Sequence, residues 1–232
     1  DIEKWDDLIE PVLIPMMKNA KLVTVNVAGE VFISEHSKKL IKRIAEVYPD
    51  IKFAIITNGI LCSEENLKKL GIADKIQDIR ISIPSCIEET YNKIVRNGNF
   101  QKVMKNLEYI SELKNQGLIK IFHINYVLSS MNYKDLIPMA EFAKKLGAQI
   151  HIMPVQDMGQ NTKFLQQFEK YSIVDPTHPE YNNFVKIMNN PIIRDNNDIM
   201  INESFKHLKP LSFFAVLKNK YNFYKKFGKK AE

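Results

Sequence analysis

Five short runs rich in β-branched and other apolar residues, 21–27, 51–57, 78–83, 121–128 and 149–155, alternate with amphipathic helical stretches. Connections of about ten or more residues do not make hairpins; they carry the chain back across a sheet as βαβ units. The class this predicts is α/β, with parallel strands covered by helices. No other feature of the 232 residues restricts the fold as strongly.

The helical stretches carry their own signals. Over 35–47 Leu40, Ile41, Ile44 and Val47 recur at helical spacing, and Pro49-Asp50 closes the segment. A short helix is predicted from Ser63, with Glu64 and Glu65 in the first turn, where the helix dipole favours acids, and Gly71 as its C-cap. Phe100, Val103, Met104, Leu107, Ile110 and Leu113 mark the buried stripe of a longer helix over 100–115, ended by Gly117. Further helices are predicted over 6–18, 88–95, 134–146 and 179–188, with a loop rich in Asn and Asp after the last. Residues 211–227 are amphipathic: Phe214, Leu217, Tyr221 and Tyr224 fall on one side and Lys218, Lys225 and Lys229 opposite, with Lys220 out of place.

The formal charge of +6 is concentrated at one end. Residues 210–232 hold six lysines against one acid, a net +5, which leaves +1 for all the rest. The body therefore has no basic stripe of the kind phosphate backbones require, and no nucleic-acid partner is expected. No apolar run approaches the roughly 18 residues that span a bilayer, and no signal peptide is visible. Cys62 and Cys86 are far apart and outside any CxxC spacing, so a reduced cytoplasmic protein is expected. The basic end leaves two roles open: peripheral contact with an anionic membrane, or packing against a partner domain.

Ligands in parallel βα arrays bind at the C-terminal ends of the strands. The segments there are Gly29-Glu30, Thr57-Asn58-Gly59, Ser82 to Cys86, Ser129 to Asn132 and Pro154 to Asp157. Glu30 stands out, because a carboxylate at a partly desolvated strand mouth wants a cationic partner. His123 and His151, on consecutive strands, leave a metal site as a rival reading.

The order of these strand ends resembles the radical S-adenosylmethionine (SAM) superfamily over roughly residues 6–157. Val27-Ala28-Gly29-Glu30-Val31 resembles its glycine-glycine-glutamate motif, which meets the SAM amino group. Ile55-Ile56-Thr57-Asn58-Gly59 is similar to its strand ending in Thr-Asn-Gly. Ile81-Ser82-Ile83, Glu89-Thr90-Tyr91 and Arg96 resemble its SxD…ETY…R stretch, and Phe100, Val103, Asn106-Leu107 and Asn132 the following βα unit. The resemblance implies a partial (β/α), TIM-barrel-like core at 1–157, a loop and helix extension at 158–209 and a basic amphipathic tail at 210–232. It also implies SAM-binding roles for Gly29, Glu30, Asn58, Ser82 and Arg96. Glu30 would accept from the ammonium, Arg96 would face the carboxylate, and Ser82 would serve the ribose. Asn125, His151 and Gln156, late in the barrel, are the candidates to face a substrate of small-molecule or peptide type.

The departures are equally specific. Ala28 replaces the first glycine, Val31 a common proline, and Pro84 the ribose-binding aspartate. The CxxxCxxC loop that holds the family's 4Fe–4S cluster has no counterpart among these residues. Nor is there a C-terminal cysteine-rich module, although members that carry one are the most similar. The expectation is a core whose parent protein cleaves SAM reductively, truncated of its first strand and cluster loop and inactive alone. The rival is a cluster-free barrel acting as a binding or interaction module.

Overall fold

The computed structural model describes residues 7–25, 30–156 and 167–228. The first described element is a π-helical turn, Ile9–Leu13, that runs into α1 (Ile14–Met16). A regular helix was predicted over this stretch. Pro11 and Pro15 lack the amide hydrogens that an α-helical ladder needs, so the first turn widens. There follow β1 (Leu22–Val25), α2 (Glu35–Val47), β2 (Lys52–Thr57), α3 (Glu64–Leu70), β3 (Ile76–Ser82), α4 (Glu88–Ile94) and α5 (Phe100–Asn115). Next come β4 (Ile121–Leu128), α6 (Leu136–Lys145), β5 (Gln149–Pro154), α7 (Phe168–Tyr171), α8 (Tyr181–Met188), α9 (Pro191–Arg194), β6 (Ile199–Ile201) and α10 (Phe213–Phe227).

Helix ends follow local chemistry. The Ser34, Ser63 and Asn99 side chains accept from the backbone amides of Ser37, Asn66 and Lys102, which starts α2, α3 and α5. Helix α2 stops at Tyr48, the residue before Pro49, where the proline ring disfavours helical backbone. Gly71 takes the left-handed conformation, φ 69°, and closes α3.

Among the described residues the strands form one six-stranded sheet in the order β1-β2-β3-β4-β5-β6. Pairs β1/β2, β2/β3 and β5/β6 are parallel, with Val25 opposite Ile55, Thr57 opposite Ile81, and Ile150 opposite Ile199. Strand order equals chain order throughout. That is the connectivity of a (β/α) barrel, whereas a doubly wound sheet reverses direction at a switch point. The α/β partial-barrel class read from the sequence is the one observed.

The chain divides into two compact units. The first comprises 1–82, 98–124 and 146–148, and the second 83–97, 125–145 and 149–232. The core of the first is apolar on the helix-covered face, with Ile41, Ile44, Phe53, Ile55, Leu67, Ile79, Ile81, Val103, Leu107 and Ile110 all buried. In the second, Tyr126, Leu128, Tyr133, Leu136, Met139, Ile150, Ile152, Phe184 and Phe205 play that part.

Two features depart from the sequence reading. The stretch expected to be an Asn- and Asp-rich loop contains α9 and β6. Three residues are too few for a periodic signal, and β6 exists through its pairing with β5. The polar stretch before residue 177 contains the helical turn α7.

Candidate cofactor-binding site

In the first unit the site is built where β1, β2 and β3 end. The Glu30 carboxylate is half-buried and held at both oxygens. Thr57 Oγ1 donates to Oε1 at 2.6 Å, and the Asn58 amide donates to Oε2 at 3.0 Å. Thr57 is buried, and its hydroxyl also accepts from the Gly59 amide at 3.1 Å. Asn58 is exposed; its side-chain oxygen accepts from the Ile60 amide at 2.9 Å. That closes an Asx-turn, so Asn58 braces the loop.

The rest of the loop is fixed from behind. Asn106, buried on α5, donates from Nδ2 to the Gly59 carbonyl at 2.8 Å and to the Ile60 carbonyl at 3.1 Å. Gly59 has φ +81°, and a Cβ there would lie 2.8 Å from Ile81 Cγ2. Both the backbone conformation and the lack of space demand glycine. Glu30 therefore presents a carboxylate of fixed orientation. An ionised carboxylate accepts at roughly four positions, so with two taken among the described residues each oxygen keeps room for a ligand ammonium.

Ser82 ends β3 one residue past Ile81, the register partner of Thr57, and is half-buried. On the same face of β3 lie Asp78 and Arg80, paired at 3.1 Å through Asp78 Oδ2 and Arg80 Nη2. Asp78 is 9% exposed and Arg80 45%, while Asp78 Oδ1 is buried with no hydrogen-bond partner among the described residues. Sequence reasoning passed over this pair, whose one signal was an Asp-x-Arg spacing that puts both on one side of a strand. It also left the Thr57 hydroxyl and the Asn106 amide without roles in the site. A polar residue within the apolar stripe of α5 was the sign for Asn106.

The remaining candidates lie in the second unit. Arg96 is exposed in the turn after α4, next to Asn97 at φ 56°. Asn125 is half-buried on the less covered face of β4, and its carbonyl accepts from the Ile83 amide at 3.2 Å. His151 is half-buried on β5, and Gln156 is exposed just after it. Pro84, which stands in for an aspartate, is anchored by its backbone. Asn132 Nδ2 donates to the Pro84 carbonyl at 2.8 Å and to the Val127 carbonyl at 3.0 Å, while Asn132 Oδ1 accepts from the Ser129 amide. Ser85, also buried, donates to Asp135 at 2.6 Å. The structure thus brings Glu30 and Asn58 together through Thr57, with Ser82 at the end of the neighbouring strand. Gly29 lies outside the described residues.

Neither cysteine suits a metal cluster. Cys62 is fully buried, and burial, with the Glu30 charge adding to it, pushes its thiol far above the ordinary range. Cys86 is half-buried, and burial raises it too. Iron–sulfur clusters are held by thiolates, which both environments oppose. No group of three His, Cys, Asp or Glu side chains that could hold a metal ion exists among the described residues. These residues do not fit a 4Fe–4S cluster.

Residues 14–143 match the family model described as the radical SAM superfamily. A GTP 3',8-cyclase of Aliarcobacter butzleri (strain RM4018) is 26% identical over 193 residues, 81% of this chain and 57% of that protein. A GTP 3',8-cyclase of Clostridium botulinum (strain Hall) is 25% identical over 154 residues, 64% of this chain and 46% of its own length. A probable GTP 3',8-cyclase of Methanocaldococcus jannaschii is 28% identical over 142 residues, 58% and 45% of the two chains. The chain spans about half the length of these curated relatives.

Proposed function

The chain belongs to the radical SAM superfamily, and we propose that it forms the SAM-holding core of an enzyme that starts radical chemistry on a substrate. The observation that carries this reading is the Glu30 carboxylate, fixed by Thr57 and Asn58 at the strand ends with acceptor capacity to spare. In the proposal Glu30 accepts from the methionine ammonium of SAM, and the Ser82 hydroxyl meets the ribose. Gly29 and Arg96 keep the SAM-binding roles that the family resemblance implies, Arg96 as the cation for the carboxylate. Asn58 acts as a brace. A 4Fe–4S cluster, the group that would supply an electron to SAM in this superfamily, would need cysteines other than Cys62 and Cys86. Asn125, His151 and Gln156 are proposed to face the substrate. The name shared by these relatives makes GTP the first compound to offer.

Calorimetric titration of SAM into the chain tests the binding roles. Losing a charge-assisted hydrogen bond costs about 1.5–3 kcal/mol, so Glu30→Ala and Arg96→Ala should each weaken binding by roughly 10- to 100-fold. If both variants bind SAM as the unsubstituted chain does, the assignment is wrong. A parent reading frame with no CxxxCxxC motif would instead favour the cluster-free binding module.

A further inference from the structure

Helix α10 has two unlike faces. One docks on its own unit: the Phe223 ring meets the buried His178 at 5.1 Å, Lys226 pairs with Glu169 at 2.7 Å, and Asn219 donates to the Pro176 carbonyl at 2.8 Å. The Lys170 ammonium lies 5.1 Å from the centroid of Phe227. The other face carries Phe213, Phe214, Leu217 and Tyr221, which are 71%, 81%, 49% and 68% exposed. Steps of one, three and four residues place these four on one stripe of the helix. Folded chains scatter exposed apolar side chains singly; a contiguous stripe of this size marks a surface that something covers.

The surrounding charge says what kind of surface fits. From Ser204 to Gly228 there is no Asp or Glu, while Lys206, Lys209, Lys218, Lys220, Lys225 and Lys226 all fall in that stretch. At about 100° per residue, Lys218 and Lys225 border the stripe on one side and Lys220 on the other. Lysine is depleted from protein–protein interfaces, whereas aromatic residues rimmed by lysine characterise helices that lie in the plane of a lipid headgroup layer. No helix among the described residues is long and apolar enough to cross a membrane.

We propose that the outer face of α10 is a docking surface for an anionic lipid bilayer. The helix lies flat, with Phe213, Phe214, Leu217 and Tyr221 entering the headgroup–acyl boundary and Lys218, Lys220 and Lys225 meeting lipid phosphates. The docked face keeps the helix attached to the protein, so binding the membrane requires no unfolding. This inference does not depend on the SAM-binding reading.

Co-sedimentation of the 232-residue chain with vesicles tests it, using phosphatidylcholine alone and phosphatidylcholine mixed with phosphatidylglycerol. The chain should pellet with the anionic vesicles and bind neutral ones at least about tenfold more weakly. A Phe213→Ser/Phe214→Ser/Leu217→Ser variant, altered only at exposed positions, should keep the wild-type melting curve and lose anionic binding by about tenfold or more. A Lys218→Glu/Lys225→Glu variant should lose it similarly. No pelleting with anionic vesicles would overturn the proposal. So would full binding by the triple serine variant, which would reduce the contact to lysine electrostatics. A chain dimer in sedimentation velocity that the serine variant dissolves would assign the stripe to a second copy, and that too would overturn it.

Discussion

Replacing Thr57 with valine removes one hydroxyl and nearly preserves the shape of the side chain. Two hydrogen bonds go with it: the donation to Glu30 at 2.6 Å and the acceptance from the Gly59 amide at 3.1 Å. A hydrogen bond to a charged group is worth about 1.5–3 kcal/mol, and a buried amide left without an acceptor costs about 1–3 kcal/mol. Glu30 is only half-buried, so water replaces part of what it loses, whereas the buried Gly59 amide has no such relief. The expected net loss is about 2–3 kcal/mol. With a urea slope of about 2–3 kcal/mol/M, the unfolding midpoint followed by circular dichroism should drop by about 1 M. Thr57→Ser keeps the hydroxyl and should recover all but about 1 kcal/mol, the share of one buried methyl group. A double-mutant cycle with Glu30→Ala isolates the shared bond and should return a coupling of about 1–2 kcal/mol. A Thr57→Val variant that unfolds within about 0.5 kcal/mol of the wild type, or a cycle with no coupling beyond about 0.3 kcal/mol, would refute this role for the hydroxyl.

Gly59→Ala should lose about 2–4 kcal/mol in the same urea assay, since it combines a left-handed backbone with a Cβ 2.8 Å from Ile81; an unchanged midpoint would mean that the loop relaxes freely. Glu180 has a pKa below the ordinary carboxylate value: burial pulls it upward, but the Asn183 and Tyr133 hydrogen bonds and the nearby Lys134 outweigh that. A depressed folded pKa contributes stability that is present above the unfolded value, near 4.3, and is lost as pH falls through the folded one. Acid unfolding between roughly pH 5 and 3 should therefore be steeper for the wild type than for Glu180→Gln, and equal slopes would refute the assignment. In native buffer a thiol reagent should modify Cys86 far faster than the fully buried Cys62, with both reacting in urea; equal native rates, read by mass spectrometry of the peptides, would contradict the packing of α3.

Most of the fold was legible because most of its signals are local. Residues 100–115 and 121–128 form a helix and a strand with the predicted bounds, since a long apolar period meets an Asn cap at one end and Gly117 near the other. The parallel order followed from the length of the crossovers. What escaped depends on contacts distant in sequence. Strand β6 is three residues that owe their conformation to β5. Helix α10 was visibly amphipathic, yet it has aromatic residues on both sides. The choice of docked face belongs to His178 and Glu169, about forty to sixty positions away.

The candidate site obeys the same division. Glu30 and Asn58 could be picked from the sequence because strand ends in a parallel array are where ligands bind. Their connection could not, because Thr57 reaches Glu30 across 27 positions, and Asn106 reaches the loop across 47. Yet these long-range bonds leave a trace that can be read. A buried polar side chain must find a partner or carry a penalty of about 1–3 kcal/mol, so each polar residue within an apolar pattern announces a contact whose other end is unknown. Asn106 in the stripe of α5, Ser85 and Asn132 after the strands, and Thr57 at the close of β2 are all of this kind. In the structure each of them is satisfied by a loop or helical turn that follows a strand. These four polar groups are therefore spent on fixing the segments that follow the strands, which is what a site that must hold a ligand in one orientation requires. Asp78 differs from them: among the described residues one of its buried oxygens has no hydrogen-bond partner, and the other holds Arg80 on the open face of β3.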